Sequence, residues 1–232
     1  MHRFPTTSRA RQKLLIFARV PELGRVKTRL EPELGRDRTL QIYEAMLHDL
    51  LTSIGPPSQD LDIEVMWTSE QDISAATLRK FFGEFPLARQ AGSGLGDRLA
   101  ISLAERVYFH DAEKVMAIGV DDPTLSRTCI ELAFKLLDSC DWVIGPATDG
   151  GYYLIGCRAA AFTPEVFRDV PWGTERVYGL THDRIRAAGS TLAVLAQRRD
   201  IDVPDDLRDF ASRVDAGQGR LGAILTHERI SK

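Results

Sequence analysis

The sequence predicts an α/β fold, with a mostly parallel sheet covered by helices on both faces. Three observations predict it. Apolar runs alternate with segments of helical period along almost the whole chain. Strand-like runs separated by helices need crossover connections, and those bury a parallel sheet on both sides. The chain has 232 residues, 44% of them hydrophobic and 27% charged, enough to build one large α/β core.

In chain order, MHRFPTTSRARQ (1–12) is polar and basic without an apolar stretch, and is expected to be a frayed leader rather than a signal peptide. KLLIFA (13–18) is the first strand. RDRTLQIYEAMLHDLLTSI (36–54) repeats Leu40, Tyr43, Leu47, Leu50 and Ile54 at spacings of three and four, so it is an amphipathic helix. GPPSQD (55–60) is a loop by its Gly and Pro. LDIEVMW (61–67) alternates as a strand does. Residues 70–82 have a helical pattern, and FPLARQ (85–90) is a short strand. AGSGLGD (91–97) is a Gly-rich turn leading into a helix over 97–110. KVMAIGV (114–120) is a buried strand that ends in Asp121 and Asp122, and residues 124–138 are helical. DWVIGPA (141–147) and YYLIGC (152–157) flank the turn TDGG (148–151). That connection is short enough to suggest an antiparallel insertion. GTERVYGLTHDRIRAAG (173–189) is a helix closing on Gly189, TLAVLA (191–196) the last strand, and 200–214 a loop entering a helix.

A net charge of −3 excludes the basic field that non-specific nucleic-acid binding requires. No uncharged apolar run has the length of a membrane span, so no membrane partner is expected. Cys129, Cys140 and Cys157 are odd in number and widely spaced, without zinc spacing, which suits structural thiols in a reducing cytoplasm. The five histidines are scattered, and no nucleophile elbow is present.

In open α/β sheets ligands bind beyond the carboxyl ends of the strands. After the first strand comes FARVPELGRVKTRL, which gathers Arg19, Arg25, Lys27 and Arg29 around Gly24. Cations of this kind hold phosphate through charge-assisted bonds, although the spacing is not that of a P-loop; the alternative is a solvated surface loop. After AIGV, adjacent Asp121 and Asp122 repel each other by roughly 4 kcal/mol at 4 Å and an effective dielectric near 20. A hard cation, Mg²⁺ or Mn²⁺, relieves that repulsion, while Asp122 or Thr124 can instead cap the helix that follows. Asp149 in Thr148–Gly151 is first of all a turn residue. Asp200, Asp202, Asp205 and Asp206 surround Pro204 as acids at a helix start do. Cations after one strand and carboxylates after two others are complementary demands of one ligand, a nucleoside di- or triphosphate with its divalent ion.

FARVPELGRVKTRL, IGVDDPTL, GPATDGGYYLIG, VPWGT and RDIDVPDDL, in this order and spacing, resemble the GT-A-like transferases named radical-SAM/selenodomain-associated transferase or arsenosugar-biosynthesis glycosyltransferase. The resemblance spans about residues 13–210. More distantly, the KTRL element is similar to the loop of 2-phospho-lactate guanylyltransferase. It implies a three-layer α/β/α sandwich with a mostly parallel mixed sheet of GT-A type, in a single domain over 13–232. By position, it implies that Arg19, Gly24, Lys27 and Arg29 embrace the nucleotide phosphates and that Asp121 is the metal-binding acid. Asp202, and Asp122 where the family has Cys, are candidates for the second metal carboxylate. Asp149 falls near the acceptor side, Trp172 and Thr174 in the P-W-G-T loop, and Arg98 beside base or ribose. Arg19 stands where the family has Lys, and Gly94 where it has Asp.

The primary expectation is a metal-dependent glycosyltransferase using a nucleotide-diphospho-sugar donor and an unidentified small-molecule acceptor, with Asp121, Asp149 and Lys27 as catalytic groups. The alternative is a nucleotidyltransferase that releases pyrophosphate from a nucleoside triphosphate, although Pro21 and Glu22 stand where such enzymes usually carry glycines. A nucleotide-binding protein without turnover is the third reading.

Overall fold

The computed structural model describes residues 11–213 and 219–230. Residues 1–10 of the expected leader and Val214 of the expected last helix lie outside the described residues. Gln12, placed in the leader by the sequence, is already the first residue of a strand.

Seven strands form one sheet: β1 (Gln12–Arg19), β2 (Leu61–Thr68), β3 (Leu87–Arg89), β4 (Lys114–Ile118), β5 (Trp142–Pro146), β6 (Tyr152–Arg158) and β7 (Leu192–Val194). Their order across the sheet is β3-β2-β1-β4-β6-β5-β7. β1 pairs in parallel with β2 and β4, β2 with β3, and β5 with β7, while β6 runs antiparallel to both β4 and β5. The reversal at β6 follows from the short 147–151 connection, which has no room for a crossover.

Alternate residues of β1 enter opposite layers, as the period of two requires. Leu14, Ile16 and Ala18 pack with Tyr43, Leu47, Leu50 and Ile54 of α2 (Arg36–Ile54). Leu78 and Phe82 of α3 (Ala75–Phe82) and Ile130 and Phe134 of α5 (Arg127–Leu136) complete that layer. Leu15 faces the other way, toward Leu99 and Leu103 of α4 (Leu95–Phe109) and Ile185 of α6 (Val177–Ala187). The expected α/β/α layering and mostly parallel mixed sheet are what the chain forms.

α2 is buried on a second face as well. Ile42, Ala45 and Met46 pack against Leu207 and Phe210 of α7 (Pro204–Arg213) and Leu221 of α8 (Gly219–Ile230). The sequence reading took in only the sheet-facing stripe and did not anticipate α8. Nor did it find α1 (Glu31–Leu34), a single turn with Pro at its start.

Two helix starts moved because a side-chain cap decides them, and the helix expected from 173 begins at Val177 without such a cap. The helix expected from residue 70 begins at Ala75, because the Ser74 side chain accepts the Thr77 N–H. The helix expected from 124 begins at Arg127, because Ser126 caps it by accepting the Cys129 N–H. Neither Asp122 nor Thr124 is that cap. α4 starts at Leu95, two residues before the expected start, inside the Gly-rich turn. No helix among the described residues is long and apolar enough to cross a membrane.

Candidate functional site

Every strand except β6 points its carboxyl end to one edge of the sheet, and a cavity of about 890 Å³ opens there. Segments following β1, β3, β4 and β5 line it, together with Asp202 beyond β7. Of the candidate residues, Arg19, Gly24, Lys27, Arg29, Arg98, Asp121, Asp149 and Asp202 line this cavity. Asp122, Trp172 and Thr174 do not.

The cationic loop is anchored at its base by Tyr43 of α2. The Tyr43 hydroxyl accepts the Arg19 N–H at 3.1 Å and donates to the Arg19 carbonyl at 3.0 Å, so it pairs both backbone groups where β1 ends. Burial first, and then the negative charge of Asp121, push its pKa well up, so it remains a hydroxyl. Gly24 has φ +72, which only glycine adopts without strain, and an added Cβ would meet nothing closer than 3.8 Å. Gly24 is therefore required by the turn itself.

The loop's cations divide by direction. Arg25 pairs with Glu70 at 2.6 Å and is half exposed, and the Arg29 side chain is 68% exposed, 4.0 Å from Asp202. Lys27 has φ +48, uncommon for a side chain of its size, and points inward with its side chain only 6% exposed. Its Nζ lies 2.5 Å from Asp121 Oδ1 and 2.6 Å from Asp202 Oδ1. Burial works against the ammonium charge, but the two carboxylates outweigh it and raise the Lys27 pKa above its ordinary value.

Asp121 and Asp202 are brought together by the backbone. The Ile201 N–H donates to the Asp121 carbonyl at 2.9 Å, docking the segment after β7 on the segment after β4. Pro204 opens α7, and Asp206 reaches back to accept the N–H groups of Asp202 and Val203, both at 3.0 Å. Asp206 thus acts as the helix-start acid that the sequence suggested for this whole cluster, and Asp202 is left to face the cavity.

Asp122 is only 6% exposed and fully engaged. One oxygen accepts the Thr124 N–H at 2.9 Å and its hydroxyl at 2.6 Å, and the other pairs with Arg198. It closes a tight turn and joins the end of β4 to the segment after β7. Of its two expected uses, ligand or cap, it serves a third: a turn acceptor and buried ion-pair partner.

Asp149 also closes a turn, accepting the Gly151 N–H at 2.8 Å. Gly150 carries more than the turn. At φ +87, a Cβ there would lie well under 3.0 Å from the backbone of Glu175, and its carbonyl accepts the Tyr178 N–H at 2.8 Å. The D-G-G turn and the P-W-G-T loop are therefore one packed unit. Trp172 lies edge-on to Tyr152 with centroids 6.0 Å apart and fits into the space left by Gly96; Thr174 donates to the Pro171 carbonyl at 2.8 Å. Both shape the wall from behind. Arg98 donates from Nε to the Gly92 carbonyl at 3.3 Å.

Three residues of this region were not singled out as site residues from the sequence. Tyr43 reads there as one more apolar position on a helical stripe. Gln90 lines the cavity, and its amide donates to the Met66 carbonyl at 2.6 Å, a tether no motif signals. Asp200 has a buried carboxylate oxygen without a hydrogen-bond partner. Burial, then repulsion from Asp121 and Asp149, opposed by Lys27 and reinforced by Asp202, push its carboxyl up to about 8.

Among the described residues no three or more His, Cys, Asp and Glu side chains are grouped to hold an ion. Two hard carboxylate oxygens, from Asp121 and Asp202, nevertheless converge on one cationic atom, Lys27 Nζ. That donor chemistry fits Mg²⁺ or Mn²⁺, which takes one or two protein carboxylates and completes its shell from phosphate and water.

No curated protein matches the chain. Among solved structures, a candidate nucleotide-diphospho-sugar transferase from Desulfovibrio desulfuricans G20 is 27% identical, with a TM-score of 0.89 over 95% of this chain and 96% of that one. CMP:2-keto-3-deoxy-manno-octonic acid synthetase, complexed with CTP, is 11% identical, with a TM-score of 0.54 over 94% and 99% of the two chains. A cytidylyltransferase from Leptospira borgpetersenii serovar Hardjo-bovis is 15% identical, with a TM-score of 0.50 over 96% and 95%. The fold is thus that of the GT-A-like nucleotide-diphospho-sugar transferases and nucleotidyltransferases. The family model described as "Uncharacterized protein conserved in bacteria (DUF2064)" matches residues 56–174, a little over half of the chain, and the protein belongs to that family.

Proposed function

We propose that the protein is a divalent-metal-dependent nucleotidyltransferase, which joins a nucleotide to a small acceptor and releases pyrophosphate. The observation that carries this reading is the cavity wall itself. Arg19, Arg25, Lys27 and Arg29 of one loop line a single space together with Asp121, Asp149 and Asp202 at the carboxyl edge of the sheet. A triphosphate with its metal ion needs both kinds of charge in one place: cations for its phosphates and carboxylates for the ion. Two structures sharing the fold over nearly the whole chain support it, one named a cytidylyltransferase and the other complexed with CTP. This moves the balance away from glycosyl transfer, the primary expectation from sequence.

The triphosphate lies along the cationic loop, and the base lies toward Arg98 and Gln90. Asp121 and Asp202 would hold Mg²⁺ or Mn²⁺. When bound, the ion supplies positive charge against the charge that builds on the phosphate oxygens. Lys27, Arg19 and Arg29 bind and orient the phosphates. An acceptor oxygen forms a bond to the α-phosphorus as the bond from that phosphorus to the bridging oxygen breaks and pyrophosphate leaves. Asp149 takes the acceptor's proton.

Glycosyl transfer is retained as a second reading because of one observation: the 27%-identical structure carries the description nucleotide-diphospho-sugar transferase. The narrower sequence resemblances supply one reaction of each kind. The deciding experiment offers each nucleoside triphosphate and each common nucleotide sugar, with Mg²⁺ and a bacterial small-molecule extract as the acceptor source. Pyrophosphate from one triphosphate is the expected product. Release of a nucleoside diphosphate from a nucleotide sugar, without pyrophosphate from any triphosphate, overturns the primary reading in favour of the second.

A further inference from the structure

Lys27 occupies the place where a metal ion and its two carboxylates would meet. Its Nζ is 2.5 Å from Asp121 Oδ1 and 2.6 Å from Asp202 Oδ1, so both carboxylates expected to bind the ion are already engaged by one ammonium, each through one oxygen. This is a built arrangement. The Lys27 side chain is 6% exposed, whereas its loop neighbours Arg25 and Arg29 are 51% and 68% exposed. The inward direction comes from a left-handed backbone at φ +48, held by the Leu30 N–H donating to the Lys27 carbonyl at 2.8 Å. Buried Val26 and Leu30 flank this turn and fix the loop against the core.

We propose that Lys27 is an internal cation that competes with the divalent ion for Asp121 and Asp202, so that metal binding expels its ammonium into the cavity. This deepens the nucleotidyltransferase reading and rests on its metal site. The charge balance explains the exchange. Two carboxylates and one ammonium leave a net charge of −1, and a divalent ion in the ammonium's place brings the pair to neutrality. Held by the same two carboxylates, ammonium and divalent ion repel each other, and the doubly charged ion is the stronger competitor. The stem of Lys27 is flexible, and the expelled ammonium has phosphate-binding space beside it, lined by Arg19 and Gly24. Metal loading and phosphate binding are thereby linked through one side chain: metal-free protein keeps its phosphate-binding lysine folded away, and metal-loaded protein presents it. By linkage, removing the competitor strengthens metal binding.

Two measurements without turnover test this. In the first, Mn²⁺ binding without nucleotide is followed by the electron paramagnetic resonance of the free ion, for the wild type, Lys27→Met and Lys27→Gln, each checked for folding by circular dichroism. The lysine variants are expected to bind Mn²⁺ more tightly, by roughly tenfold. In the second, the wild-type protein is acylated at lysines and mapped by mass spectrometry. Lys27 is expected to label slowly in EDTA and several-fold faster in Mg²⁺, with Lys80 as an unaffected control. Equal or weaker Mn²⁺ affinity in well-folded variants, or Lys27 labelling that ignores Mg²⁺, overturns the competition. If nucleotides still bind only with metal while these results fail, the competition alone falls. If neither wild type nor variants bind Mn²⁺, the metal site itself falls with it.

Discussion

Asp121 and Asp122 are neighbours in sequence and separate in space. Asp121 faces the cavity with its side chain 44% exposed, and Asp122 turns away into an ion pair with Arg198. Two substitutions should therefore give opposite phenotypes. Asp121→Ala removes metal-dependent nucleotide binding at a smaller cost in stability, because buried Lys27 keeps Asp202 as a partner. Asp122→Ala leaves Arg198 without its buried partner and should cost about 3 kcal/mol, read in a denaturant melt, while the folded fraction still binds nucleotide. Sequence could name the pair as important, because two carboxylates at a buried strand end are costly. It could not divide their roles, because Arg198, the residue that claims Asp122, lies 76 positions away. Gly150 makes the same point. D-G-G reads as a turn, but the turn also has the chain around Glu175 packed onto it. Gly150→Ala should destabilise by roughly 1–3 kcal/mol in a thermal melt, through its positive φ and the Glu175 backbone together.

At the scale of elements, periodicity located strands and long helices because burial sets it. β1, α2, β2, β4, β5 and β6 all fall where the apolar pattern puts them. Boundaries shifted wherever a side-chain cap, Ser74 or Ser126, determined the start. α1 and α8 escaped notice because a four-residue turn has no period and Gly222 interrupts the pattern of α8. The junction that anchors the cationic loop is between α2 and β1. Tyr43→Phe keeps the apolar ring and deletes one hydroxyl, leaving the Arg19 N–H and C=O without their partner. A cost of about 1–3 kcal/mol is expected in chemical denaturation, together with weaker binding of nucleotide phosphates, since the cationic loop begins at that residue. Unchanged stability and binding would show that the loop is anchored elsewhere.

Over the whole molecule, the cavity concentrates charge that the net value of −3 conceals. In metal-free protein a buried acid beside those that line it carries a consequence for pH. Asp200 has a folded pKa of about 8 against an ordinary value of 3.8, so the native state holds a proton that the unfolded chain has released. Its contribution to stability is fully present below pH about 4 and is lost as pH rises toward 8. In EDTA, melts of the wild type should show this loss between those values, and Asp200→Asn should flatten it. An identical pH profile in the variant would show that Asp200 does not set this pH dependence. The sequence set these acids beside Pro204 as helix-start residues, which is correct for Asp206; the separation of Asp200 and Asp202 from that role depends on a docking bond, Ile201 N–H to the Asp121 carbonyl, that only the folded chain forms.

On the proposed reading, one cavity takes a nucleotide together with a divalent ion. A thermal-shift panel of nucleoside triphosphates, diphosphates and nucleotide sugars, each with Mn²⁺ and with EDTA, tests it most directly. A ligand at about 100 times its Kd stabilises by roughly 2.7 kcal/mol, a rise of about 5–10 °C for a chain of this size. Such a rise is expected for a triphosphate with Mn²⁺ and none for the same ligand in EDTA. No rise with any nucleotide in either condition, or equal rises with and without metal, would contradict it.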